Sequence, residues 1–142
     1  RAGDFDVLML AGRYTLLDQS GLDGLFPACA ARGISIVAAG PFNSGILATG
    51  ARDGAKFFYA NASPAILERT RRIESVCADH RVPLATAALQ FALQHPVVAS
   101  VATGMVSPAE VAANVAALAA PVPPALWSDL KSAGLLHPET PV

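Results

Sequence analysis

The 142 residues are 53% hydrophobic and only 15% charged, with a formal net charge of −1. That excludes a disordered chain, which needs low hydrophobicity and high charge, and the interspersed acids and bases form no basic face or tail for nucleic acid. No uninterrupted apolar run reaches the roughly 18 residues of a membrane span, while so little charge leaves apolar surface to dock against another element.

The chain opens "RAGDFDVLML". A buried strand begins almost at once, with no initiator Met, signal peptide or leader, so the expectation is a fragment. "FDVLMLAG" reads as that strand, and "RYTLLDQSG" as a polar exit loop. "LDGLFPACAARG" is a short helix with Pro27 near its first turn and Gly33 as its stop. "ISIVAAG" is a second strand, with apolar residues on both faces, as in a parallel sheet covered on both sides. Residues 40–62 form a long Gly-rich, aromatic loop of the length that is usually functional or disordered. Ser63-Pro64 caps a helix whose stripe, Ile66, Thr70, Ile73 and Cys77, runs to about His80. "PLATAALQFALQH" is an Ala-rich helix stopped by Pro96, and "VVASVATG" a third strand. Ser107 with Glu110 three residues on is a capping box for "SPAEVAANVAALAA". "PPALWSDLKSAG" is the last helix, with Trp127 as a packing residue, and the Pro-rich tail 137–142 is expected to be loosely held. Cys29 and Cys77, far apart in apolar helical patterns, read as reduced core thiols of a cytoplasmic protein. His80, His95 and His137 have no ligand spacing, so no metal site is expected.

Strands alternating with helices imply parallel pairing with right-handed crossovers. A doubly wound fold would need more strands, and no "GxGxxG" opens a helix after the first. A complete β/α barrel needs about 250 residues. The remaining option is the last part of such a barrel.

Three blocks, "DVLMLAGRYTLLDQ", "VAAGPFNSGILATG" and "ALQFALQHPVVASVATGMVSPAEVAANVAAL", together resemble the aldo-keto reductases. They fit especially the branch with L-fucose and D-threo-aldose 1-dehydrogenases and pyridoxal 4-dehydrogenase. The resemblance implies an α/β fold, the C-terminal part of a (β/α)8 TIM barrel: strands six to eight and their helices over residues 1–136. It also implies hydride transfer between NAD or NADP and a sugar or pyridoxal-type carbonyl or alcohol. The family's Asp, Tyr, Lys, His tetrad lies in the first half of the barrel. Tyr14, Tyr59, Lys56 and Lys131 fall outside its blocks, so this chain alone is expected to be inactive and to need the N-terminal half as partner.

Two loops carry the expected cofactor contacts. "GPFNSG" (Pro41, Phe42, Asn43, Ser44, Gly45) resembles the block that lies against the pyrophosphate. Pro41 fixes the backbone, Asn43 and Ser44 offer polar groups, and Gly45 permits close approach to a phosphate; an ordinary Pro/Gly turn is the other reading. "TGMVSPAEVAAN" resembles the adenosine-phosphate clamp, with Gly104, Met105, Ser107, Glu110 and Asn114 in its positions and Asn114 on the adenine. Glu110 is either a helix cap alone or a clamp residue. As a clamp residue its carboxylate disfavours a 2′-phosphate and suits a ribose hydroxyl, hence NAD over NADP.

Two positions depart from the family pattern. Ala11 or a close neighbour stands where many relatives have a carboxamide-binding glutamine, and Ala39 where many have a stacking tyrosine. Arg13 and Tyr14, at the active face, are expected to contact substrate or cofactor, with Arg13 equally a solvated charge. Phe57, Phe58 and Tyr59 either cover the cofactor or pin the loop. The alternatives to an enzyme are a non-catalytic nucleotide-binding or subunit-like member of the same fold, and an unrelated α/β binding module.

Overall fold

The computed structural model describes residues 3–142. Three strands pair in parallel in the order β1 (Val7–Ala11), β2 (Ser35–Ala39), β5 (Val98–Ala102), so β2 is central. Met9 pairs with Val37 and Ala11 with Ala39, while Val37 pairs with Ser100 and Ala39 with Ala102. The β-branched residues of each strand fit a pleated, buried surface. α1 (Leu25–Ala31) connects β1 to β2, and α3 (Pro64–Asp79) and α4 (Leu84–Phe91) lie between β2 and β5. α5 (Pro108–Ala119) and α6 (Pro124–Ser132) follow.

Alternation sends one side chain in two to each face of the sheet. Ile36, Ala38 and Val98 are buried in the core that includes Phe26, Leu89, Phe91, Leu126 and Leu130. On the other face Val7 is 52% and Met9 70% exposed. The expectation of a sheet covered on both faces is therefore corrected: among the described residues helices cover only one. In a closed barrel the uncovered face is the one that layers of side chains from all the strands fill.

Local signals were largely decisive. Ser63 Oγ accepts the Ile66 N–H at 3.3 Å with Pro64 at the first helical position. Thr70, Ile73 and Cys77 are buried along α3 as their spacing predicts. Trp127 packs against Phe91, with ring centroids 6.1 Å apart. Cys29 and Cys77 are buried free thiols, and burial, with Glu74 nearby, pushes the Cys77 thiol up to about 11.

Three expectations need correction. α4 ends at Phe91, before Pro96, because Leu93 N–H already bonds Gln90 O at 3.0 Å and tightens the turn. The 40–62 loop is structured, holding the short α2 (Ile46–Thr49) and an antiparallel hairpin of β3 (Lys56–Phe57) and β4 (Ala60–Asn61). The tail is docked: Thr140 is buried, its carbonyl accepts Lys131 Nζ at 2.8 Å, and His137 N–H donates to Gln19 Oε1 at 3.2 Å. Among the described residues no single helix is long and apolar enough to cross a membrane.

Candidate functional site

The three strands end level. Gly12 N–H donates to Ala39 O at 2.8 Å and Gly40 N–H to Ala102 O at 3.0 Å, each one residue beyond its strand. The exit loops therefore leave together from the C-terminal edge, where β/α folds place ligands. There the loop after β2, the loop after β5 and the start of α5 enclose a cleft of about 560 Å³. Phe42, Asn43, Ser44, Gly45, Gly104, Glu110 and Asn114 line it, together with Gly40, Tyr59, Ala85 and Thr103.

The loop after β2 is held in an unusual shape. Asn43, Ser44 and Gly45 have φ of 44, 60 and 98°, three left-handed residues in succession. For the two non-glycine residues this costs roughly 1–3 kcal/mol each, and such strain clusters at ligand clamps. The Asn43 side chain, 3% exposed, is the bracket: the Thr15 hydroxyl donates to its Oδ1, and its Nδ2 donates to Gly12 O at 3.5 Å. This corrects the expected role of Asn43, whose amide fastens one exit loop to the next rather than standing free for a ligand. Ser44 Oγ accepts the Tyr59 N–H at 2.9 Å. A side chain at Gly45 would meet no atom within 4 Å. Pro41 is buried behind the loop and does not line the cleft.

The hairpin divides the three aromatics. Its two tip residues, Phe58 and Tyr59, have φ of 46 and 66°, where two-residue turns usually carry Asn-Gly. Phe57 packs on the core. Phe58 lies against Gly12, where an added Cβ would come within 2.7 Å of its ring, and beneath the Arg13 guanidinium at 4.7 Å. Tyr59 is 90% exposed and lines the cleft. Two aromatics thus pin the loop and one faces the site.

Of the expected substrate contacts, Arg13 is exposed, lines neither the cleft nor the two smaller recesses beside it, and pairs with Asp18 at 3.1 Å. Tyr14 is corrected to a core residue. It is 2% exposed, its ring centroid is 4.9 Å from those of both Phe26 and Phe91, and its hydroxyl has no partner. Burial raises its pKa well above the ordinary 10.0. Its loop turns inward because Leu16 and Leu17 are buried with it.

At the far wall, Ser107 Oγ accepts the Glu110 N–H at 3.2 Å, while Glu110 Oε2 accepts the Val106 N–H at 2.9 Å. The capping box closes one residue further upstream than the usual pattern. Glu110 and Asn114, one turn apart, face the cleft together; Ser107 is engaged in the cap, and neither it nor the exposed Met105 lines the cleft. Glu110 is the only charged side chain among the described lining residues.

Two smaller recesses adjoin. One, about 260 Å³, is bounded by Ser44, Gly45, Thr49, Arg52, Asp53 and Lys56. The other, about 100 Å³, lies among Ala11, Gly12, Gly40, Asn43, Ser44, Phe58 and Tyr59. Ser44 borders all three spaces. Sequence reasoning passed over Arg52, Ala85 and Thr103; the Arg and Lys flanking "DGA" were a signal that could have found the second recess. The arrangement offers hydroxyls, backbone groups, the Glu110 carboxylate in the large cleft and Arg52, Asp53 and Lys56 around the second recess, and so suits binding.

The model of the Aldo/keto reductase family matches residues 1–134. Pyridoxal 4-dehydrogenase of Microbacterium luteolum is 43% identical over 133 residues, covering 94% of this chain and 39% of its own length. D-threo-aldose 1-dehydrogenase of a Pseudomonas species is 42% identical over 138 residues, covering 96% and 42%. An aldo-keto reductase of Bacillus halodurans superimposes in its apo form with a TM-score of 0.71 at 27% identity, over 98% of this chain and 47% of that one. Its holo form gives 0.68 at 25%, over 95% and 46%. The chain thus spans about two fifths of the curated relatives it matches, and its three-stranded sheet is part of a TIM barrel.

Proposed function

The chain belongs to the aldo/keto reductase family, and from that premise we propose that its cleft holds the nicotinamide dinucleotide of an oxidoreductase acting on a sugar or pyridoxal-type carbonyl or alcohol. The observation that carries this reading is that Ser44 borders all three recesses, which brings them side by side around one hydroxyl. A dinucleotide is long, with a ring system at each end and two phosphates between. The reading assigns the α5 wall to one end of the dinucleotide, the strained Ser44–Gly45 backbone to its middle, and the small recess bordered by Ala11 and Gly12 to the other end.

In this reading Asn114 bonds the adenine, and the Glu110 carboxylate accepts from ribose hydroxyls, favouring NAD over NADP. Ser44 and the backbone at Gly45 take the phosphates. The small recess, roofed by Phe58 and Tyr59, takes the nicotinamide end; Ala11 and Ala39 leave room there but offer no amide or ring. When bound, the nicotinamide gives or takes a hydride. The acid-base group belongs to residues outside this chain, in the remainder of the barrel. In this reading the exposed Arg13, stacked on Phe58, contacts a polar substrate.

Titration of the complete protein, this chain together with the remainder of its barrel, with NADH and NADPH, followed by assays with D-threo-aldoses and with pyridoxal, tests this. NADH binding with turnover of one of these substrates supports the reading. Binding without turnover of any carbonyl or alcohol would leave a nucleotide-binding member of the fold, and no dinucleotide binding at all would remove the proposal.

A further inference from the structure

Three of the polar side chains buried in this protein, Thr15, Gln19 and Asn43, join in one hydrogen-bonded chain. Every donor in it points the same way. The His137 N–H donates to Gln19 Oε1 at 3.2 Å, across 118 positions of sequence. Gln19 Nε2 donates to the Thr15 carbonyl, the Thr15 hydroxyl donates to Asn43 Oδ1, and Asn43 Nδ2 donates to Gly12 O at 3.5 Å. The direction is forced at Thr15. Its hydroxyl oxygen also accepts the Leu17 N–H at 3.2 Å and the Asp18 N–H at 3.1 Å, which occupy both lone pairs and leave the proton for Asn43.

At one end of this chain stands the C-terminal tail. His137 O accepts the Thr140 N–H at 3.0 Å, and Thr140 O accepts Lys131 Nζ at 2.8 Å, so the His137 N–H is presented from a fixed segment. At the other end stands Asn43, the first of the three left-handed residues, with φ of 44°. Such a backbone keeps its shape only while its surroundings hold it there. The Asn43 amide supplies that hold, and at 3% exposure it has no water to replace Thr15 as a partner. Buried bonds in series polarise one another, so the loss of one weakens the next.

We propose that Gln19 and Thr15 are positioning residues through which the C-terminal tail fixes the Asn43–Gly45 backbone in the shape that receives the dinucleotide. This rests on the cofactor reading above and extends it to His137, which lines none of the three recesses. The coupling is reciprocal, so bound dinucleotide must in turn hold the tail more tightly.

The experiment uses the complete protein, this chain with the remainder of its barrel, in fluorescence titrations with NADH well below the melting temperature. His137→Pro removes the N–H, whereas His137→Ala keeps it and removes only the imidazole that faces Asp23 at 3.3 Å. His137→Pro should weaken NADH binding about threefold or more, and His137→Ala should bind as the parent does. Thr15→Val orphans the Asn43 amide and should weaken binding about tenfold, while Thr15→Ser, which keeps the hydroxyl, should restore it. Asn43→Gly accepts the left-handed backbone without the amide, so adding His137→Pro to it should cause no further loss. Hydrogen exchange of residues 137–140 should slow when NADH is added to the unsubstituted protein; this measurement needs no substitution and decides the matter if Thr15→Val fails to fold. A purely structural tail would shift melting temperatures and leave NADH affinity unmoved. Unchanged affinity in folded His137→Pro, an equal loss in His137→Ala, the same loss again on the Asn43→Gly background, or tail exchange indifferent to NADH would each overturn the inference alone. No NADH binding by the unsubstituted protein would overturn the cofactor reading and the inference with it.

Discussion

Glu110 accepts the Val106 N–H at 2.9 Å from the same wall of the cleft on which Asn114 stands one helical turn later. The carboxylate is therefore both a helix cap and the one negative charge among the described residues lining the cleft. Glu110→Arg should move the ratio of kcat/KM for NAD and NADP toward NADP. A close charge contact is worth up to ~4 kcal/mol at an effective dielectric near 20, and exposure should reduce that to about 1–2 kcal/mol, a shift of roughly 5- to 30-fold. Glu110→Gln keeps an acceptor for Val106 and should move the ratio part of the way. An unchanged ratio in both variants would leave Glu110 a cap only.

Gly45 has φ of 98° with open space where a side chain would begin. Gly45→Val should cost about 1–3 kcal/mol of stability from backbone strain. It should also project into the groove and weaken NADH binding at least about tenfold, or ~1.4 kcal/mol. Melting without ligand and NADH titration separate the two effects; full affinity in a folded variant would mark the loop as an ordinary turn.

Tyr14 buries a hydroxyl that has no partner. Tyr14→Phe removes a polar atom that costs roughly 1–3 kcal/mol when left unsatisfied and keeps the ring contacts. The variant should melt at or above the parent temperature with unchanged KM. A raised KM would return Tyr14 to the substrate.

His95 packs edge-on against Tyr14 and Phe26 and accepts the Val97 N–H at Nδ1. Burial lowers its pKa below the ordinary 6.5. The unfolded chain therefore binds the proton first as pH falls, and stability is lost below about pH 6.5. Melting curves from pH 8 to about 5 should show this loss, and His95→Leu should flatten it. An equal slope in the variant would assign the loss to other groups.

Val7 and Met9 on the open sheet face, and Val111, Val115 and Leu118 on α5, are all exposed. Among the described residues β1 has β2 as its only partner, so its other edge is a template for pairing. Residues 1–142 alone should self-associate, and Met9→Lys with Val115→Lys should reduce the association. Sedimentation of the two proteins checks this; a monodisperse, cooperatively melting monomer of the unsubstituted chain would refute it.

The strands were legible because β-branched runs sit between glycines, and the helices because Ser63-Pro64 and Ser107-Glu110 mark their starts. The Phe42–Gly45 loop could be nominated because it follows the C-terminal end of a parallel strand, whereas Gly104, Glu110 and Asn114 were legible only through the family resemblance of "TGMVSPAEVAAN". The hairpin was hidden: its strands are two residues long and its tip is Phe-Tyr rather than Asn-Gly, a choice local propensity argues against. Tyr14 misled because it follows a charged residue in a polar-looking loop, and only the neighbouring leucines indicate that the loop turns inward. Asn43 looked like a ligand donor because nothing in the sequence announces that Thr15, 28 residues away, will claim it.

Gln90 lies on α4, and its Nε2 donates to Ala117 O at 2.7 Å and Ala120 O at 2.8 Å, at the last turn of α5. α5 has no buried side chain among the described residues, so this amide grips the helix at the end remote from the cleft. Mechanically the helix is a lever with Gln90 at its fulcrum. Glu110 lies seven to ten residues from those two carbonyls, an arm of about 11–15 Å at 1.5 Å per residue. A tilt of about four to five degrees at the fulcrum therefore carries Glu110 through about 1 Å, the difference between a hydrogen bond and none. The width of the cleft at Glu110 is in this sense sensitive to a residue that does not line it.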